Sequence, residues 1–107
     1  MMPFPKQAKH DFTTVRISAI EPNQSGIYGI FNHSHCIYLE KTEDIKESLL
    51  QHVTGKSDQA ACIFQNDPQY WLAAIVPKSK LMFWERILLG EFRPVCLAQQ
   101  VIERENR

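Results

Sequence analysis

Apolar positions along the chain fall into short continuous runs and one clear four-residue rhythm. IYGIF (27–31) and CIYLE (36–40) are aromatic and aliphatic runs separated by the polar NHSH, which predicts two antiparallel strands joined by a hairpin turn. Ile45, Leu49 and Val53 then recur every fourth residue. At about 100° per residue they share one face, predicting a helix over 43–53 that packs on the sheet. Thr42 offers a capping hydroxyl, Glu43 and Asp44 place carboxylates in the first turn, and Gly55 follows the last apolar position.

Downstream, residues 57–65 predict a second, short helix capped by Ser57 or Asp58 and ended by Asn66–Pro68. Residues 70–76 form a continuous apolar run with proline near both ends, the pattern of a buried strand. Residues 77–92 predict the last helix, closed by Pro94, with Leu81, Leu88 and Phe92 facing inward beside Trp84 and Leu89. Upstream, the β-branched stretch 13–20 predicts a further strand, whereas residues 1–12 lack apolar periodicity and read as a loose arm. The whole is an α/β chain of the α+β kind: one domain over 13–107, with a small sheet and helices packed on it.

The bulk composition narrows the function classes. A chain of 107 residues with 44% hydrophobic and 22% charged residues is that of a single globular domain. The start has lysines but no apolar core segment, so a signal peptide is not expected; nor is a membrane span, and the expected location is the cytoplasm. Twelve basic residues balance twelve acidic ones, so no global field draws the chain toward phosphate, and any nucleic-acid site must be local. Cys36, Cys62 and Cys96 are odd in number and widely spaced. They fit neither a disulfide framework nor a paired-cysteine zinc motif and read as reduced and structural.

Polar residues on apolar faces are the candidates for chemistry. Ser48 and His52 lie on the inward side of the first long helix, where a histidine is ordinarily a hydrogen-bonded core residue. Glu85 falls within the inward stripe of the last helix and therefore needs a cation, a donor or a proton, either from an interior pair with His52 or a tyrosine or from a metal. His33, His35 and Cys36 read as an exposed turn, because alternate strand-end residues face opposite ways and no fourth ligand lies near. Tyr70, Trp71, Phe83 and Trp84 read as core aromatics and not as a base-stacking platform.

Gly26-Ile27-Tyr28, with Tyr38-Leu39-Glu40 a hairpin away, resembles the paired motifs of the GIY-YIG nuclease family. Lys41, Thr42, Asp44 and Ile45 fit the lead into the first helix, His52 matches a frequent histidine at its end, and Glu85 stands at the position of the family's metal-binding glutamate. These residues span about 24–97. The resemblance implies a three-stranded antiparallel sheet flanked by helices. It further implies a site in which the first tyrosine activates water, the second contributes beside it, an arginine binds the scissile phosphate and the glutamate holds a divalent metal, Mg2+ or Mn2+.

Two positions depart from that pattern. Ser48 stands where the family has its arginine, and Glu40 replaces the glycine that ends the second motif. Loss of one preorganised charge donor costs on the order of 100- to 1,000-fold in rate, and Glu40 repels phosphate further. Lys46 points away from the site, which leaves Lys41 as the replacement cation.

Three readings follow. The first is a catalytically degenerate module that binds DNA or a protein. The second is an active metal-dependent DNA endonuclease using Tyr28, Tyr38, His52 and Lys41, with Glu85 and Glu40 sharing the metal. The third is a structural subunit, such as a homodimer formed through aromatics near Trp71.

Overall fold

The computed structural model describes residues 9–96. In chain order the elements are β1 (His10–Asp11), α1 (Thr14–Ser18), β2 (Gly26–Phe31), β3 (Cys36–Thr42), α2 (Ile45–Val53), α3 (Ala60–Gln65), β4 (Tyr70–Ile75) and α4 (Leu81–Phe92), the last entered through a 3-10 turn at Lys78–Lys80. The sheet is antiparallel in the order β1-β4-β2-β3.

Alternation along the central strand β2 divides the core between the two faces of the sheet. Tyr28 and Ile30 pack with Tyr38, Ile45, Leu49, Ile63 and Trp71, on the side carrying α1 and α2. Ile27 and Phe31 pack with Leu39, Leu81 and Leu88 against α4. The β2–β3 hairpin closes at Asn32, whose side-chain oxygen accepts the backbone N–H groups of Ser34 and His35 at 2.8 and 2.9 Å. This side-chain turn explains why NHSH reverses the chain without glycine. His33 and His35 are exposed, as expected of a turn.

Gly26 opens β2 at a position where no side chain fits. A Cβ there would strike the Ala74 carbonyl oxygen and lie 2.8 Å from Ile45 Cδ1. The close approach follows from the pairing of Gly26 with Ile75 in β4 and from the start of α2 directly across the sheet. Glycine is therefore a packing requirement here.

Several sequence expectations change. The sheet has four strands rather than three, because His10 and Asp11 pair with Trp71 and Tyr70. The end of the expected arm is thus an edge strand, held also by the stacking of His10 on Trp71 at 4.5 Å. Residues 1–8 and 97–107 lie outside the described residues. The stretch read as a strand at 13–20 is the short helix α1. Thr13 caps it by accepting the Arg16 N–H, and Ile17 is fully buried beneath it, so the cap and one anchoring side chain outweigh β-branched propensity.

The cap of α2 is Asp44, which accepts the Glu47 N–H, and not Thr42. Of its inward face, Ile45, Leu49 and His52 are buried and Val53 is half-buried. Among the aromatics, Trp71 is buried at 6% exposure while Phe83 is 58% exposed. Trp71 therefore belongs to the core, and Phe83 lies on the outer side of α4.

The cysteines also differ from expectation. Cys62 and Cys96 form a disulfide across 34 residues, tying α3 to the segment after α4. That segment returns to the sheet, where Val95 and Cys96 donate backbone N–H groups to the Cys36 and Ile37 carbonyls. Sequence distance conceals this pairing, and only the tertiary fold brings the two thiols together. Cys36 is the remaining thiol; it is buried, and burial pushes it up to about 12.

Candidate functional site

The free edge of β3 and the inward face of α2 enclose a cleft of about 280 Å3. It is lined by Tyr28, Tyr38, Glu40, Lys41, Ser48, Gln51, His52 and Gln59. Register places these groups. Tyr28 in β2 stands opposite Glu40 in β3, Ile30 stands opposite Tyr38, and the two tyrosine rings lie 6.2 Å apart. Ser48 and His52 are one helical turn apart on α2 and reach over the tyrosines.

Hydrogen bonds link the polar groups of the site. Asp44 N–H donates to Thr42 Oγ1 at 3.0 Å, and Thr42 Oγ1 lies 2.6 Å from Ser48 Oγ. The Tyr28 phenol oxygen is 2.7 Å from His52 Nε2, and His52 Nδ1 is 2.6 Å from Ser57 Oγ. Burial lowers His52 to about 4, so the imidazole is neutral, with one donating and one accepting nitrogen. Burial first, then the charge of Glu40, raises Tyr28 well above the ordinary tyrosine range. At neutral pH it is a phenol and not a phenolate.

The second tyrosine is engaged with the glycine replacement. Tyr38 donates its hydroxyl to Glu40 Oε1 at 2.5 Å, and burial is again the main cause that raises the phenol. Glu40 is raised as well, mainly by burial, with the Tyr38 hydrogen bond opposing and the Glu85 charge reinforcing the shift.

The two carboxylates approach the cleft differently. Lys41, one residue beyond Glu40, faces the α4 side of the sheet, where its Nζ lies 3.6 Å from Glu85 Oε1. Its backbone N–H, unpaired by any strand at this edge, donates to Glu85 Oε2 at 3.3 Å. The partner of the inward Glu85 is thus Lys41, rather than the His52 or tyrosine expected from the sequence. Among the described residues no group of three or more histidine, cysteine, aspartate or glutamate side chains is placed to hold a metal ion. With both Glu85 oxygens engaged by Lys41 and one Glu40 oxygen by Tyr38, the donor set does not fit a divalent cation.

No protein-family model matches the sequence, and no curated protein matches it either. Solved structures do match. The GIY-YIG N-terminal endonuclease domain of UvrC from Thermotoga maritima, as a point mutant bound to its catalytic divalent cation, superposes with a TM-score of 0.66 at 16% identity, over 80% of this chain and 96% of that one. The same domain bound to magnesium gives a TM-score of 0.64 at 17% identity, over 77% and 92% of the two chains. The chain has the GIY-YIG nuclease fold. Within the GIY-YIG fold, the hairpin bearing Tyr28 and Tyr38, the α2 face bearing Ser48 and His52, and the α4 face bearing Glu85 surround one edge of the sheet. The sequence identified each of these positions. It gave no sign of Ser57, the second partner of His52, or of Gln51 and Gln59, which complete the rim. A polar loop following the helix was the only available signal.

Proposed function

We propose that this GIY-YIG domain is a binding module whose nuclease site has lost its chemistry. The observation that carries this reading is the Lys41–Glu85 pair, in which the chain's own ammonium occupies the carboxylate that a divalent metal would need. Ser48 offers a neutral hydroxyl, hydrogen-bonded to Thr42, where a phosphate would require a positive charge. Glu40 adds a carboxylate to the same cleft. The zero formal charge of the chain supplies no compensating field.

The rival reading is a DNA endonuclease with a rearranged site, requiring Mg2+ or Mn2+ on Glu85 and Glu40, and it needs Lys41 to leave Glu85. Nicking of supercoiled plasmid with either metal separates the two. Silence from the wild type, with activity gained by Ser48→Arg combined with Glu40→Gly, supports the retired site. Nicking by the wild type that Glu85→Gln abolishes overturns it.

Among the described residues no helix is long and apolar enough to cross a membrane. A cytoplasmic location is part of the proposal. The Cys62–Cys96 bond pulls the other way, because disulfides persist chiefly in oxidising compartments. Thiol trapping of the protein directly from cells decides between them.

A further inference from the structure

The outer face of α4 is apolar and exposed. Met82, Phe83 and Ile87 are 64%, 58% and 41% exposed, and they fall within two turns of one helix. Large apolar side chains scattered singly are ordinary on a surface, whereas adjoining ones on one face mark a contact site. Phe83 is held in place by its edge-on packing with Trp84, the ring centroids 5.3 Å apart.

Gly90 lies on the same face. Seven residues apart, Phe83 and Gly90 differ by only about 20° around the helix, and both point away from the buried Leu81 and Leu88. Glycine weakens a helix interior, and packing within this chain does not demand it, since a Cβ at 90 would meet nothing within 4 Å. The helix thus carries a flat spot one heptad after a projecting aromatic ring. An antiparallel copy supplies the complement, because a two-fold axis that sets Phe83 over the partner's Gly90 also sets Gly90 under the partner's Phe83.

The same register orders the flanks. Ile87 stands beside the partner's Ile87 at the axis, and Glu91 comes within about 3 Å along the helix of the partner's Lys80, with the reciprocal pair at the other end. Both Lys80 and Glu91 are exposed, so these ends carry complementary charge. Arg86, on the opposite flank, approaches the partner's Arg86, and the long stems carry the two guanidinium groups out to solvent.

We propose that this chain forms a two-fold homodimer by antiparallel packing of α4, with Phe83 seated on the partner's Gly90 and a Lys80–Glu91 pair at each end. One helix face falls short of the roughly 800 Å2 per partner of a standard interface, so the dimer is weak, with a Kd on the order of 10–100 μM. The cleft between β3 and α2 lies on the other side of the sheet from α4. Pairing therefore leaves both clefts open, and it stands or falls independently of whether they bind or cut.

The test is sedimentation equilibrium of the full chain from about 5 to about 500 μM, a range that brackets that Kd. Reversible dimerisation is expected, and Phe83→Glu is expected to be monomeric throughout. Gly90→Leu places a side chain in space that is open in the single chain. It is expected to melt no lower than wild type when dilute and yet to weaken the dimer at least about tenfold, a combination that a folding defect does not give. Lys80→Glu and Glu91→Lys should each weaken association about fivefold, and the two changes together in one chain should restore it, because in this register position 80 meets the partner's 91. A monomer at every concentration overturns the proposal: protection of Met82 from hydroxyl-radical oxidation then assigns the face to residues of this chain outside 9–96, and ready oxidation leaves it to a different protein. A dimer that tolerates Gly90→Leu, or that the double charge swap fails to restore, overturns it equally, since the interface then lies elsewhere or in another register.

Discussion

Lys41 holds both oxygens of Glu85, one through its side-chain ammonium at 3.6 Å and the other through its backbone N–H at 3.3 Å. The ammonium half of this contact is removable by mutation and the backbone half is not, so the site can be asked whether a metal returns when the lysine leaves. Lys41→Met is expected to create an affinity for Mn2+ that the wild type lacks. At ten times its Kd a metal stabilises by about 1.4 kcal/mol, and for a domain of this size that raises Tm by several degrees. The comparison is thermal melting with and without Mn2+ in wild type, Lys41→Met, and Lys41→Met with Glu85→Gln. A shift confined to the single mutant is expected; an equal shift in wild type defeats the idea.

His52 is 4% exposed and neutral, lowered by burial to about 4 from the ordinary histidine value of 6.5. Because the folded value lies below the unfolded one, the unfolded chain takes up the proton first. The stabilisation is complete above about pH 6.5 and is lost as pH falls toward 4, amounting to about 3 kcal/mol over the window. Tyr28 and Tyr38 stay protonated throughout, and the upward shift of Glu40, caused mainly by burial, is common to both proteins compared. The difference between wild type and His52→Asn in urea unfolding from pH 7.5 to 4 therefore isolates the histidine. Parallel pH curves for the two proteins count against it.

Breaking the Cys62–Cys96 bond frees a loop of 34 residues in the unfolded chain, for which chain entropy gives about 3–4 kcal/mol. Cys62→Ser is expected to lose stability on this scale in urea, and reducing agent to lower the wild type to the same level without affecting the mutant. Cys36, buried and held up at about 12, should resist iodoacetamide until the protein unfolds. Rapid alkylation under native conditions runs against its placement.

Gly26→Ala forces a methyl group into the Ala74 carbonyl and against Ile45. Backbone cannot yield as a flexible side chain can, so a cost of about 3 kcal/mol or more is expected. Gly90→Ala on the exposed face of α4, where a Cβ meets nothing within 4 Å, should instead gain a few tenths of a kcal/mol to about 1 kcal/mol in helix propensity. Calorimetric melting of the pair checks both signs.

The hairpin strands and β4 were legible in the sequence as continuous apolar runs and α2 and α4 as periodic apolar stripes, and the inward positions of His52 and Glu85 followed from that periodicity. Their partners were not legible. Glu85 meets Lys41 only because β3 is an edge strand whose side chains and N–H groups reach α4. The strand expected at 13–20 failed because one cap and one buried isoleucine decide so short an element. A two-residue strand such as β1 carries no periodicity at all, and the thiols of Cys62 and Cys96 meet through a chain reversal that no local pattern encodes.

The crowding around Gly26 bears on how this fold can be recognised. Its glycine is demanded by the Ala74 carbonyl and by Ile45, neither of which takes part in cutting phosphodiesters. Selection for a folded chain alone would therefore preserve the opening Gly-Ile-Tyr signature long after hydrolysis had ceased. On the reading proposed above, a census that counted only the glycine signature would enrol members that no longer cut alongside those that do, and the charges at positions 40, 41 and 48 would be what separates them.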